Sequence, residues 1–240
     1  DTYNATYTDY HDNGEIEIFR QDKGAIGFFF NPEDDPNLES SRKFYNKDGV
    51  MERQSKGVGD LIEITTYLDG NRDKVFNSKM VDEKLIRHGI QKSYYPNGEV
   101  QLESYFKDDL MHGTFKTFNE KGELERSTTY ENGIANGYTE KNDYESEIYQ
   151  TGNFKDGKMH GLTKFKFPKH YTSLEMNFDM GKVKSFVCEI ESNYEAFADK
   201  IFKVDIEDGK LNFRKDGDQR FLYEKSYCEE VFENLIEPKI

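Results

Sequence analysis

The fold of this chain is decided by the stretch from His88 to Gly161, which reads HGIQKSYYPNGEVQLESYFKDDLM (88–111), HGTFKTFNEKGELERSTTYENGIA (112–135) and NGYTEKNDYESEIYQTGNFKDGKM (136–159), followed by HG (160–161). Each of the first three segments is 24 residues long. A polar residue opens each of these segments and the final pair: His88, His112, Asn136 and His160. A glycine follows each of them: Gly89, Gly113, Gly137 and Gly161. A fixed period of this length indicates a repeat architecture in which each copy packs on its neighbours.

One repeat reads as two strands and two turns. Residues 114–118 and 123–130 predict strands, and Asn119 to Gly122 predict the turn that joins them. Glu131-Asn132-Gly133 turns the chain toward the next copy, because an Asn-Gly or Asp-Gly pair favours the type I′ hairpin turn. Structural turn residues are therefore predicted at His88, Gly89, Gly98, His112, Gly113, Gly122, Gly137, His160 and Gly161.

The repeat divides the chain into three predicted regions. Residues 88–187 hold the regular copies. Residues 1–87 hold degenerate copies, such as Tyr10–Ile16 and Phe44–Val50, together with an acidic loop and an insertion. Residues 188–240 predict a hairpin and a short helix that caps the row, since a capping box precedes an apolar stripe there. The predicted fold is all-β, a row of antiparallel β-hairpins with a C-terminal helical cap.

Composition and charge limit the classes of function. The chain has 240 residues, 47 acidic and 33 basic, for a net charge of −14. Its 16 Tyr and 19 Phe are too many for a disordered chain, and no apolar run is long enough to predict a transmembrane helix. The acidic excess repels nucleic acid and anionic lipid and favours a basic protein partner.

Two cysteines, Cys188 and Cys228, leave the cellular compartment open. Their spacing is not that of a metal site, so they predict either one disulfide in an exported protein or two buried thiols. The chain begins at Asp1 without methionine, which is expected either after removal of a signal peptide or from trimming. A cytoplasmic, cell-envelope or secreted location fits.

The sequence contains no recognisable catalytic motif, and we expect no catalytic residue, metal or cofactor. His88, His112 and His160 share one column of the repeat, so a metal ladder is conceivable. However, Asn136 occupies the same column and no Cys, Asp or Glu joins it. A position that accepts asparagine in place of histidine is most simply a hydrogen-bonding site in a turn.

These columns resemble the MORN-variant repeat, which is seen in YwqK-type antitoxins and in many bacterial proteins. The resemblance rests on Gly89 and the run Tyr94-Tyr95-Pro96-Asn97-Gly98, and on Phe106 with His112-Gly113. The third copy departs from the pattern with Asn142 and Ser146. The resemblance implies an elongated, curved antiparallel sheet used for protein contact, and it implies no particular chemistry.

The leading hypothesis is a non-enzymatic protein-binding repeat module, in its sharpest form an immunity protein or antitoxin that sequesters a basic toxin. The predicted contacts are acidic residues of the loop and of the inter-repeat turns: Glu33, Asp34, Asp35, Glu39, Asp108, Asp109 and Asp156. The alternative is an exported or cell-surface scaffold or host-contact repeat protein, which a disulfide would favour. Neither hypothesis involves nucleic acid or membrane insertion, and the oligomeric state is open.

Overall fold

The structure is a computed structural model that describes residues 2–25, 39–58, 60–82, 84–170, 172–190, 200–207 and 210–213. Glu33, Asp34 and Asp35 lie outside the described residues, as do Cys228 and the predicted C-terminal helix. The chain packs into two compact units, residues 1–134 and 135–240. The predicted division after residues 87 and 187 follows the regularity of the repeat and stays a prediction.

Unit 1 is an antiparallel meander in which consecutive strands pair. Its strands are β1 (Thr2–Tyr10), β2 (Ile16–Ala25), β3 (Glu39–Tyr45), β4 (Met51–Val58), β5 (Leu61–Leu68), β6 (Asn71–Val81), β7 (Lys84–Tyr94), β8 (Val100–Lys107), β9 (Leu110–Met111), β10 (Gly113–Phe118) and β11 (Leu124–Glu131). Strand β8 pairs with both β9 and β10, because these two are parts of one interrupted strand.

Unit 2 repeats this arrangement. Its strands are β12 (Ile134–Asp143), β13 (Ile148–Lys155), β14 (Lys158–Met159), β15 (Gly161–Phe167), β16 (Thr172–Asp179), β17 (Lys182–Ile190), β18 (Lys200–Glu207) and β19 (Lys210–Phe213). Among the described residues the one helical element is a 3-10 turn, Pro168–His170. Each unit is therefore an open sheet of antiparallel hairpins, which confirms the predicted all-β hairpin fold.

The inter-repeat turns have the predicted type I′ geometry. Asn132 and Gly133 both have positive φ, 49° and 83°, and Asp156 and Gly157 have 49° and 75°. Both central residues of a type I′ turn need this left-handed backbone, which explains the Asn-Gly and Asp-Gly pairs. Gly98 and Gly122 lie in the turns at the other end of the hairpins, also with positive φ.

Two of the three His-Gly pairs interrupt strands, whereas His88-Gly89 and Asn136-Gly137, also predicted as turns, lie inside β7 and β12. His112 separates β9 from β10, and its backbone N–H donates to the carbonyl oxygen of Tyr105 at 2.8 Å. His160 separates β14 from β15 and donates to Asn153 at 2.9 Å. Gly113 and Gly161 follow with φ of 74° and 77°. The pattern that predicted a turn at these positions thus marks a local bulge, since a left-handed glycine can kink a strand without ending it.

Unit 2 has the more deeply buried side chains. Leu174 and Cys188 face each other across β16 and β17, as do Met176 and Phe186, and all four are at most 1% exposed. The Cys188 sulfur is disulfide-bonded, and no free cysteine is found among the described residues. Cys188 itself is fully buried, so its half of the disulfide lies in the core of this unit.

Candidate functional site

One face of the sheet in unit 1 can be traced from the strand register, because directly opposed residues in antiparallel strands point to the same side. One row of such residues runs from β4 to β11: Arg53, Thr66, Lys74, Ser93, Leu102, Thr117 and Arg126. A second row, two residues along each strand, runs from β3 to β8: Arg42, Ser55, Ile64, Phe76, Gln91 and Ser104. We call the surface that carries these two rows the groove face.

A groove of about 600 Å³ is cut into the groove face. Its apolar lining is contributed by Ile64, Phe76, Leu102, Phe106, Met111 and Phe115. Ser78 and Ser104 also line it and are only 5% and 3% exposed. The short serine side chains fill less space than the large apolar side chains around them, which creates the depression. The sequence therefore shapes the groove by alternating small and large residues.

Exposed cations border this apolar floor. Arg53, Lys74 and Arg126 belong to the first row and Arg42 to the second, and each of the four is exposed. Between β4 and β11 neither row contains a carboxylate, and the register of the first row continues beyond β4 through Phe44 and Ile18 to Asp9 of β1. The groove face is therefore cationic and apolar, although the whole chain carries a net charge of −14.

Two carboxylates from outside the rows contact cations at the groove. Asp73, in the bulge of β6, lies 3.5 Å from the Lys74 ammonium nitrogen. Asp109, in the turn after β8, lies 3.1 Å from Nε of Arg87, which also lines the groove. The Arg87 guanidinium sits 4.2 Å from the centre of the Phe106 ring, a cation–π contact. Arg87 is thus fixed by an acid and a ring. The Arg53 guanidinium also lies over a ring, 3.9 Å from the centre of Phe44, but neither Arg53 nor Arg126 has an ion pair in the described part of the chain.

The acidic residues concentrate at the hairpin turns rather than on the groove face. In unit 1 they include Asp12, Glu15, Asp48, Asp69, Asp82, Glu99, Asp108, Asp109, Glu120 and Glu123. The opposite face of the sheet carries both signs of charge. There the Lys92 ammonium forms an ion pair with Glu103 at 2.8 Å. Its hydrogen bond with Glu103 raises the pKa of Lys92.

Two of the predicted contact residues, Asp108 and Asp109, form ion pairs with cationic side chains of the same chain. The Lys79 ammonium lies 2.6 Å from Asp108, and Nδ1 of His88 lies 3.1 Å from the same carboxylate oxygen. The hydrogen bond from Lys79, then that from His88, lowers the pKa of Asp108. The backbone N–H of Arg87, followed by its side chain, lowers the pKa of Asp109.

The other predicted residues are spread over the chain. Asp156 is exposed on the turn between β13 and β14, and Glu39 begins β3. His88 contacts the Tyr105 ring edge-on, at 6.4 Å between ring centres. Nδ1 of His112 and Nδ1 of His160 are buried without a hydrogen-bond partner among the described residues. In the same part of the chain, no group of three His, Cys, Asp or Glu side chains is placed to hold a metal ion.

The cationic rows were not predicted from the sequence, because only the net charge of the chain was considered. The sequence does contain a signal for these rows. Arg53, Lys74 and Arg126 each occupy one of the alternating strand positions whose side chains point to the same face of the sheet. Aligning successive hairpins from their turns would have placed these residues in one row across the sheet.

Comparison with known proteins supports the repeat and adds little on function. Residues 87–108 and 111–132 match the family described as the MORN repeat variant. The starts of the two matches lie 24 residues apart, which is the period seen in the sequence. MORN repeats form non-catalytic modules that commonly bind proteins or membranes. No curated protein matches the chain.

No helix among the described residues has the length and apolar character needed to cross a membrane.

Proposed function

We propose that this protein is a non-enzymatic protein-binding module and that it binds its partner on the groove face of unit 1. The observation that carries the proposal is the groove itself, whose apolar floor is made of large side chains, most of them only half-buried. Open apolar surface of this kind is typical of protein interaction sites. The matches to the MORN repeat variant support the same class of function.

Two finer forms of this function are distinguished by the compartment. An immunity protein or antitoxin against a basic toxin is supported by the YwqK-type resemblance and by the acidic hairpin turns. An exported or surface-attached contact protein is supported by the disulfide at Cys188, because disulfides persist mainly in oxidising compartments. The disulfide favours the exported form.

The test is affinity capture with the full chain from cell lysate and from culture supernatant of the source. Three baits are compared: the natural chain, Leu85→Glu and Ile90→Glu. Leu85 lines the groove and is 50% exposed, whereas Ile90 is 46% exposed on the opposite face of the same strand. We expect one stoichiometric partner that is lost with Leu85→Glu and retained with Ile90→Glu. Equal capture by all three baits, or no specific capture by any, would contradict the proposal.

A further inference from the structure

We propose that the groove face takes an acidic segment of the partner protein, one that carries carboxylates beside apolar side chains. This inference rests on the proposed function and specifies the chemistry of the partner at that site. It is the opposite of the basic partner that the net charge predicts.

Arg53, Lys74 and Arg126 stand in one row across six neighbouring pairs of strands, and the row has no acidic member between Arg53 and Arg126. In the described part of the chain, the one ion pair that any of the three forms is that of Lys74 with Asp73, at 3.5 Å. A basic segment laid in the groove would therefore meet like charge at Arg53 and Arg126, which is unfavourable.

The spacing of the cations sets the spacing of the acids. Strands of a sheet lie about 4.8 Å apart, so Arg53 and Lys74 are separated by about 10 Å along the row, and Lys74 and Arg126 by about 19 Å. A helix laid along the row rises about 1.5 Å per residue and would meet the three cations with acids about 7 and then about 13 residues apart. An extended segment would meet them at intervals of about 3 and 6 residues.

The apolar floor lies beside this row. Phe76 and Ser104 of the second row are two residues along their strands from Lys74 and Leu102. A partner segment with acids on one side and apolar side chains on the other matches both rows at once. Arg87 adds no free charge, because Asp109 already binds its guanidinium, so it serves as a fixed wall of the groove.

The experiment uses the full chain and two synthetic amphipathic peptides of about 20 residues, with glutamate at about every seventh position in one and lysine there in the other. The test variant is Arg53→Gln, Lys74→Gln, Arg126→Gln. The control variant, Lys47→Gln, Lys56→Gln, Lys121→Gln, removes the same charge from exposed residues of two hairpin turns and of the opposite face. Fluorescence anisotropy of the labelled peptides gives the dissociation constants.

We expect the glutamate peptide to bind more tightly than the lysine peptide, and the groove-face variant to weaken that binding about tenfold at moderate salt. The control variant should change it by less than about twofold. Equal or tighter binding of the lysine peptide, binding of neither peptide, or equal effects of the two variants would overturn the inference. Groove-dependent binding of phosphatidylserine vesicles in place of the glutamate peptide would also overturn it, in favour of a membrane surface.

Failure of this inference is distinct from failure of the proposed function. If Leu85→Glu abolishes capture of a natural partner but the lysine peptide binds more tightly, the groove is a binding site for a basic protein. If Leu85→Glu has no effect on capture, the groove face is not the binding surface at all.

Discussion

The backbone N–H of Gly133 donates a hydrogen bond to the carbonyl oxygen of Met111 at 2.8 Å, which ties one inter-repeat turn to the strand of the preceding copy. The same bond recurs between residues 22 apart along the repeat: from Asp109 to Arg87, from Gly157 to Ala135 and from Gly181 to Met159. Each of these four turns is thus held by a hydrogen bond to the preceding copy of the repeat. This column of bonds explains why the sequence period is so regular, because every copy must offer a donor at the same place.

A second column joins the turns at the other end of the hairpins. The Tyr95 hydroxyl donates to the carbonyl oxygen of Phe118 at 2.9 Å, and the Asn97 side chain donates to that of Glu120 at 2.8 Å. Asn13 makes the equivalent contact with Lys47 in the degenerate N-terminal copies. The worn sequence there still produces the same turn geometry.

Loss of one rung of this column should weaken the sheet by a measurable amount. Tyr95→Phe removes the hydroxyl but keeps the ring, and we expect a loss of about 1 kcal/mol in the free energy of unfolding. Tyr94→Phe is the matched control, since no hydrogen bond of the Tyr94 hydroxyl is found in the described residues. Urea unfolding of the two variants measures the difference, and equal stabilities would show that the rung contributes nothing.

Gly152 has a steric role in unit 2. A Cβ at this position would lie 2.7 Å from Oγ1 of Thr163 and 2.9 Å from the Met159 methyl carbon. Since Thr163 is fully buried, Gly152→Ala should cost about 1–3 kcal/mol of stability.

The partner in this contact can be checked by a double-mutant cycle. Thr163→Ala removes Oγ1 and Cγ2, two of the three atoms that the new methyl group would meet, and leaves the end of the flexible Met159 side chain, so in that background Gly152→Ala should cost clearly less. Additive losses in urea unfolding would contradict the steric explanation.

The carboxylates at the turn after β8 predict that the stability of the folded chain falls at acidic pH. The pKa values of Asp108 and Asp109 are lowered in the folded chain, so their contribution to stability is fully present above the ordinary aspartate pKa of 3.8. It is lost as the pH falls through the lowered folded values. The double variant Asp108→Asn, Asp109→Asn should therefore lose less stability on acidification than the natural chain.

Urea midpoints measured at a series of acidic pH values test this expectation. Asp156→Asn, on the equivalent turn of another repeat, is the control and should follow the natural chain. The account of this turn fails if the double variant and the natural chain lose stability in parallel.

The disulfide at Cys188 should contribute to the stability of the folded chain. Removal of a native disulfide commonly costs about 2–5 kcal/mol. We expect Cys188→Ser, or reduction of the natural chain, to lower the thermal midpoint, and we expect reductant to have no further effect on the variant. An unchanged midpoint on reduction would contradict this expectation and would remove the structural support for the exported form.

The hairpins and their turns could be predicted from sequence because they depend on local signals. Asn132-Gly133 and Asp156-Gly157 specify positive φ within two residues, and no distant contact is needed to recognise them. The His-Gly pairs were less predictable. Whether Gly113 ends a strand or kinks it depends on pairing with Tyr130, which is not a local property.

The candidate site could not be found from the charges in the sequence alone. Charged residues that are far apart in the sequence can lie close together in the fold and neutralise each other. Asp108 and Asp109 looked free in the sequence, but Lys79 and Arg87 bind them across the neighbouring hairpin. In the same way, Arg53 and Arg126 are far apart in the chain and become members of one row only through the register of the strands between them.

The most direct test of the central claim is photo-crosslinking in the source cells with p-benzoylphenylalanine in place of either Thr117 or Lys116. These adjacent residues of β10 are both half-buried, but Thr117 pairs with Leu102 on the groove face and Lys116 pairs with Glu103 on the opposite face. The account predicts one discrete crosslinked partner from position 117 and none, or much less of it, from position 116. Crosslinking of the same partner from position 116 alone, or equally from both positions, would contradict the claim that this protein binds through the groove face.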